Sequence, residues 1–506
     1  MSVQRTEVAG LPALHAPRDD DGCTAGLVFR VGGADEHLAI RGVTHLVEHL
    51  ALHAAGLEPV HERAGLDDVV TGFRASGSPE QVARALSAVC AALRRPPLDA
   101  LDQVRATLHA EEAARTDGAG RPAAMMRWGA AGRGLASYPE VGLDGLDADV
   151  VGIWASAAFT RHNVVLWVSA RHVPRGLDLA LPDGELPPLP AAPGVLPRTP
   201  AWYTAPDTHA VHVTALVPRS PATEVLTHLL RHAVHADALP LGATTTVRCD
   251  PHDAGTALLS VLVEGAPETR EALAGLVVDA VARLRWGHLG PADRQAVTLA
   301  VRDADRPEHD PDLLAARAAD QLLGHPTPSR AEHVAALAAV TPDEVRAVAA
   351  AVHDSALARV PGGGLDWAGF VPAPAGSTTG VDGREHPVRG GGRAVLVIGP
   401  EGVMLRSAAG RSTVRYRELA AVEAFADGGR WLVGLDGFRV HVEPTVYEVG
   451  PEDIARIDEA VDPARVVHRA ARPPDRLPRP ADPGGHHPRR GLAAHLPRFL
   501  GRPGRT

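Results

Sequence analysis

A chain of 506 residues is too long for one ordinary domain and has room for roughly two to four. Its net charge of −10 gives no electrostatic reason to expect a nucleic-acid partner, and its three widely spaced cysteines form neither a disulfide framework nor a CxxC metal pair. No apolar run reaches the eighteen or so residues of a membrane span, and the first residues lack a basic-then-apolar secretion pattern, so a reducing cytoplasm is the expected setting. The first region, 1–190, opens with an apolar run at 24–31 that reads as a strand. A helical pattern at 42–54 and a strand at 69–75 follow, then helices at 79–93 and 98–115. The run VVLWVSA at 164–170 ends the unit as a strand, and the Pro- and Leu-rich stretch 181–200 reads as a linker.

The second region, 200–360, repeats that order. A strand at 209–217 precedes a helix at 222–235; strands at 244–249 and 257–264 lead into helices at 267–284, 291–303, 311–323 and 342–353. The recurrence predicts an α+β protein built of two related halves, each an antiparallel-rich sheet with helices on one face. After a Gly- and Pro-rich stretch at 362–393, short strands are predicted at 394–398, 403–407, 413–417, 430–435 and 438–443, with a closing helix at 451–461. That unit, 394–465, has the element order of a small, pleckstrin-homology-like β domain. The rest, 466–506, is expected to be a disordered tail, since from Arg469 onward it carries nine Arg against two Asp among many Pro and Gly.

The chemistry centres on HLVEH at 45–49. Histidines four apart on a helix share a face, so His45 and His49 can grip one Zn²⁺, and Glu48 lies on the same side. Zinc lowers the pKa of a coordinated water from about 15.7 to about 7, and a carboxylate beside it can take the proton and deliver it to a leaving amine. On a wheel of about 100° per residue, Val43, Leu46, Val47, Leu50 and Ala54 cluster on one face, with the three polar groups roughly opposite. His53, four residues beyond His49, offers an alternative pair that lacks a glutamate at this spacing.

The passage FRVGGADEHLAIRGVTHLVEHLALHA, from Phe29, resembles the insulinase/pitrilysin family of zinc peptidases through 31–36, Gly42 and 45–49. The likeness continues into RPPLDALDQVRATLHAEEAAR and reaches VTPDEVRAVAAAVHDSALARVPGG. The resemblance implies a zinc metalloendopeptidase acting on short unfolded peptides, with His45 and His49 as ligands and Glu48 as general base. A third ligand would come from Glu111 or Glu112. The stripe Leu101, Val104, Leu108 lies about 50° from each, and the family pattern of a ligand Glu followed by an apolar residue favours Glu112. Peptide would add as a strand along an edge near Val69, Val70 and Thr71. The chain departs from the family in a short spacing from His49 to the third ligand, and in Arg105 where the family has another glutamate. It also has no Tyr in LPLGATTTVRCDPHDAGTALLSVLVEG, where Arg248 is the one arginine left to hold substrate. Those departures leave a second reading open, a weakly active or non-catalytic peptide-binding subunit, working as a homodimer or as a heterodimer with a related chain. A third reading makes the C-terminal β unit a docking module.

Overall fold

The computed structural model describes residues 3–57, 68–114, 120–190, 194–205 and 209–480. In the first half the elements are β1 (Gln4–Val8), β2 (Leu11–Ala16), β3 (Cys23–Phe29), α1 (Val43–Ala55), β4 (Thr71–Gly77), α2 (Pro79–Arg94), α3 (Leu101–Ala114), α4 (Gly120–Trp128), α5 (Ala148–Ala158) and β5 (Val164–Ser169). The sheet order is β1-β2-β5-β3-β4, with β2 parallel to β5 and the remaining neighbours antiparallel. Every residue of β3 and β5 is buried, which explains why both read as continuous apolar runs rather than alternating ones.

The second half comprises β6 (Ala201–Thr204), β7 (Ala210–Pro218), α6 (Pro221–Ala238), β8 (Thr244–Pro251), β9 (Thr256–Glu264), α7 (Arg270–Trp286), α8 (Pro291–Ala304), α9 (Pro311–Leu322), α10 (Arg330–Ala338), α11 (Pro342–Asp354), β10 (Leu357–Val360) and β11 (Val371–Pro372). Its sheet order is β11-β6-β10-β7-β9-β8, again with a parallel pair, β6 and β10, followed by antiparallel β7 and β9. The run β2-β5-β3-β4 is thus repeated as β6-β10-β7-β9, and α1 and α6 each follow the equivalent strand. Ala25, Leu27 and Phe29 of β3 join the core shared with α1, α2 and α5. The opposite face, with Val28, Val165 and Trp167, is covered by Leu314, Ala318 and Leu322 of α9, so a helix of the second half closes the first sheet.

Two further sheets form the C-terminal unit. One runs β12 (Arg384–Pro387), β13 (Val395–Ile398), β14 (Gly402–Ser407), β15 (Gly410–Arg415). The other contains β16 (Leu419–Phe425), β17 (Arg430–Gly434), β18 (Arg439–Val442) and β19 (Val466–Arg469), in the order β18-β17-β16-β19. They enclose Leu396, Val403, Val414, Leu432 and Val440 under Ile454 and Ile457 of α12 (Pro451–Ala460). The sheets stay separate among the described residues, so the unit is a sandwich closed by a helix rather than a continuous barrel.

The expectation of disorder from 466 onward is corrected up to 480. β19 pairs in parallel with β16, and the Arg472 guanidinium binds Asp427 and Glu443 while lying 4.2 Å from the Phe425 ring centroid. The arginine-rich composition of this stretch hid acidic partners placed 29 and 45 residues earlier. Residues 481–506 of the predicted tail lie outside the described residues. No helix among the described residues is long and apolar enough to cross a membrane.

Candidate metal centre

The turn between β3 and α1 is built to fix where α1 begins. Gly42, the N-cap, has φ 105°, a left-handed conformation that suits glycine, and a Cβ there would come within 2.9 Å of the Glu140 Cβ. Glu36 accepts from the Gly42 and Thr44 amides at 2.9 and 2.8 Å, satisfying two helix N-terminal donors in place of a cap side chain. Its carboxylate also pairs with Arg41 at 2.9 Å. Burial disfavours the Arg41 charge, but Glu36 and Glu140 outweigh it and hold the guanidinium above its ordinary pKa. The acidic, Gly-containing turn therefore serves as a carboxylate cap.

Along α1, Val43, Leu46, Val47 and Leu50 are buried as the wheel predicts, whereas Ala54 is exposed near the helix end. His49 is itself buried and His45 half-buried, with ring centroids 4.6 Å apart and planes at 89°. Their Nε2 atoms lie 3.8 and 3.6 Å from one oxygen, Oε2 of Glu111 on α3. The three donor atoms all fall within 4.8 Å of one another, the one such group among the described residues. Tetrahedral bonds of about 2.1 Å would set ligand atoms about 3.4 Å apart, so the two nitrogens and the carboxylate oxygen suit a zinc ion in type and in spacing.

Glu111, rather than the Glu112 that the family pattern favours, is the glutamate in this group among the described residues. The wheel over Leu101, Val104 and Leu108 was indifferent, but only Val104 and Leu108 are buried on α3. Measured from those two, Glu111 is roughly 40° away and Glu112 roughly 60° at about 100° per residue. Leaving out the partly exposed Leu101 is what separates the two glutamates on the wheel.

Sequence reasoning missed Glu140. Its buried carboxylate accepts from His45 Nδ1 at 2.8 Å, leaving Nε2 directed at Glu111. Such a carboxylate fixes the tautomer and ring orientation of a ligating histidine and raises its basicity. It sits 95 residues from His45 on a loop with no motif, so no local signal marked it. Arg105 donates to the Leu143 and Leu146 carbonyls at 3.0 and 2.8 Å, holding that loop.

Glu48 is half-buried on the same side of α1 as the two histidines. Val69, Val70 and Thr71 are buried at the start of β4, the outer strand of the sheet among the described residues, and Thr71 Oγ1 donates to the Val31 carbonyl at 2.8 Å. Arg248 lies on β8 opposite Ser260, half-exposed, with Nη2 3.4 Å from Asp250. His53 is exposed in the last turn of α1.

No protein-family model matches the sequence, and no curated protein matches it. Solved structures do. A chain of complex III2 from Candida albicans aligns at TM-score 0.56 and 11% identity, over 70% of this chain and 95% of that one. A protease from Helicobacter pylori aligns at 0.53 and 13%, over 71% and 99%. A peptidase M16 inactive domain from Pseudomonas fluorescens aligns at 0.54 and 15%, over 71% and 97%. The fold is that of the M16-like, or insulinase-like, peptidases. The neighbours include both a protease and an inactive domain, so the fold leaves open whether a given member hydrolyses peptides.

Proposed function

We propose that this chain is a zinc-dependent endopeptidase acting on short unfolded peptides, with His45, His49 and Glu111 holding the metal and Glu48 as general base. The observation that carries the reading is the convergence of two imidazole nitrogens of α1 and one carboxylate oxygen of α3 beside a second acidic side chain, Glu48, on the histidines' side of α1. Zinc, when bound there, supplies a Lewis acid that polarises the scissile carbonyl and makes water nucleophilic at neutral pH. Glu48 takes the proton of the attacking water and returns it to the leaving amine. Glu140 keeps His45 in the tautomer whose Nε2 is the donor. The outer edge of β4 accepts peptide as an added strand by main-chain hydrogen bonds, the mode that suits an unfolded substrate.

One observation favours a second reading, a peptide-binding subunit with little turnover. The β8–β9 region has no Tyr, and its Arg248 is engaged with Asp250. Pairing with a second copy or a related chain would then supply the missing groups. Cleavage of a quenched peptide library by the zinc-loaded chain separates the two. Turnover that Glu48→Gln removes supports the first reading, and peptide binding without turnover supports the second.

A further inference from the structure

The 139–146 loop that carries Glu140 is held from two directions. From α3 comes Arg105, on the Leu143 and Leu146 carbonyls. From the C-terminal unit comes Arg469 of β19, whose Nη1 donates to Asp144 Oδ2 at 2.9 Å across 325 residues of sequence. The other Asp144 oxygen accepts from His109 of α3 at 2.9 Å, so Asp144 ties the loop, α3 and the β unit together.

An apolar seam backs this tie. Ala420, Ala421 and Val433 of the β unit pack with Leu38, Tyr138 and Val141, the last two flanking Glu140 in sequence. The β17–β18 turn also comes close to the first half. The Ala130 amide donates to the Leu435 carbonyl at 2.9 Å, and a Cβ on Gly129 would lie 2.0 Å from that oxygen. Burial of an apolar seam and a backbone hydrogen bond between units exceeds what a surface tether makes.

We propose that the C-terminal β unit braces the metal centre: together with Arg105 it clamps the 139–146 loop, and through Glu140 it sets the orientation of His45. Arg105, Asp144 and Arg469 are positioning residues in this scheme, since they reach the metal ligands through Glu140. The inference rests on the zinc reading above.

The test uses the full chain, with zinc affinity measured by competition against a chromophoric chelator and the visible spectrum of the cobalt-loaded protein as a second readout. Glu140→Gln should weaken zinc about 10- to 100-fold, the usual cost of losing a ligand's outer partner. Arg105→Met should weaken it about tenfold. Asp144→Asn and Arg469→Gln, each weakening the half-exposed Asp144–Arg469 pair, should weaken it about threefold and shift the cobalt spectrum in the direction Glu140→Gln does. In a Glu140→Gln background these three changes should have no further effect, because they act through the carboxylate already lost. Unaltered zinc affinity in all three variants, with Glu140→Gln weakened, would overturn the brace, and so would losses that add to that of Glu140→Gln. A parent chain that binds no zinc fails the metal reading itself, a different result from either.

Discussion

The helices α1 and α6 occupy equivalent places in two sheets of like topology, and their sequences align without a gap, VTHLVEH at 43–49 against LTHLLRH at 226–232. The apolar positions behave alike: Val43, Leu46 and Val47 are at most 1% exposed, as are Leu226, Leu229 and Leu230. The polar positions diverge. Arg231 matches Glu48 in that alignment, its Nη2 donating to the Val247 carbonyl at 3.2 Å. Burial, followed by Arg231, holds His228 below its ordinary pKa. The first half brings His45, His49 and Glu111 together as a group that could hold a metal ion, whereas His228 and His232 join no such group among the described residues. Packing residues are therefore dictated by the shared architecture, and the chemistry by substitutions at positions the core does not constrain.

Several substitutions would break or sharpen that contrast. The largest effect is expected at the diverged position: Glu48→Gln should lower peptide turnover about 10²- to 10⁴-fold while zinc stays bound, and Arg231→Gln should change neither. Steady-state kinetics and metal analysis on the same preparations check both. Next come the histidine pairs. His45→Ala or His49→Ala should abolish stoichiometric zinc, whereas His228→Ala and His232→Ala should leave it at the parental level. Equal losses from both pairs would erase the distinction between the halves.

A smaller contrast lies at the helix starts. Gly42→Ala forces a side chain into left-handed backbone against Glu140 and should cost about 1–3 kcal/mol in denaturant unfolding. Ser220→Ala removes an ordinary N-cap of α6 and should cost about 1 kcal/mol.

The smallest effect concerns pH. His252, at the end of β8, stacks on Trp128 of the first half with centroids 5.3 Å apart. Burial, with Arg133 beside it, lowers its pKa to about 4. Between about 4 and the unfolded value near 6.5 the unfolded chain binds more protons, so stability rises with pH across that window. The contribution is fully present above about 6.5 and is lost as the pH falls through about 4. His252→Gln should flatten this part of the stability profile, and an unchanged profile would count against a neutral, half-buried His252.

Much of the fold was legible in the sequence because local periodicity carries it. The buried run of β3, the HLVEH helix and the repeated element order all reflect apolar spacing. The short strand β1 has no apolar signal, since its residues are mostly exposed and polar. The site was legible only as far as one helix. His45, Glu48 and His49 sit on α1, where their spacing alone marks them as candidates. That Glu111 rather than Glu112 lies beside the imidazoles needed the packing of α3, where Val104 and Leu108 are buried and Leu101 is not, which the wheel alone leaves open. Glu140 and the Arg469–Asp144 pair join residues 95 and 325 positions apart, beyond any local pattern. The β-rich C-terminal unit was readable as an element order, but its seam against the first half depends on docking that no single segment encodes.

The central claim is that one metal sits between α1 and α3, on Glu111. The most direct measurement is a zinc titration of the full chain beside Glu111→Gln and Glu112→Gln. That claim predicts one zinc per parent chain, loss of tight binding in Glu111→Gln, and near-parental binding in Glu112→Gln. No stoichiometric zinc in the parent chain, or loss with Glu112→Gln and not with Glu111→Gln, would contradict it.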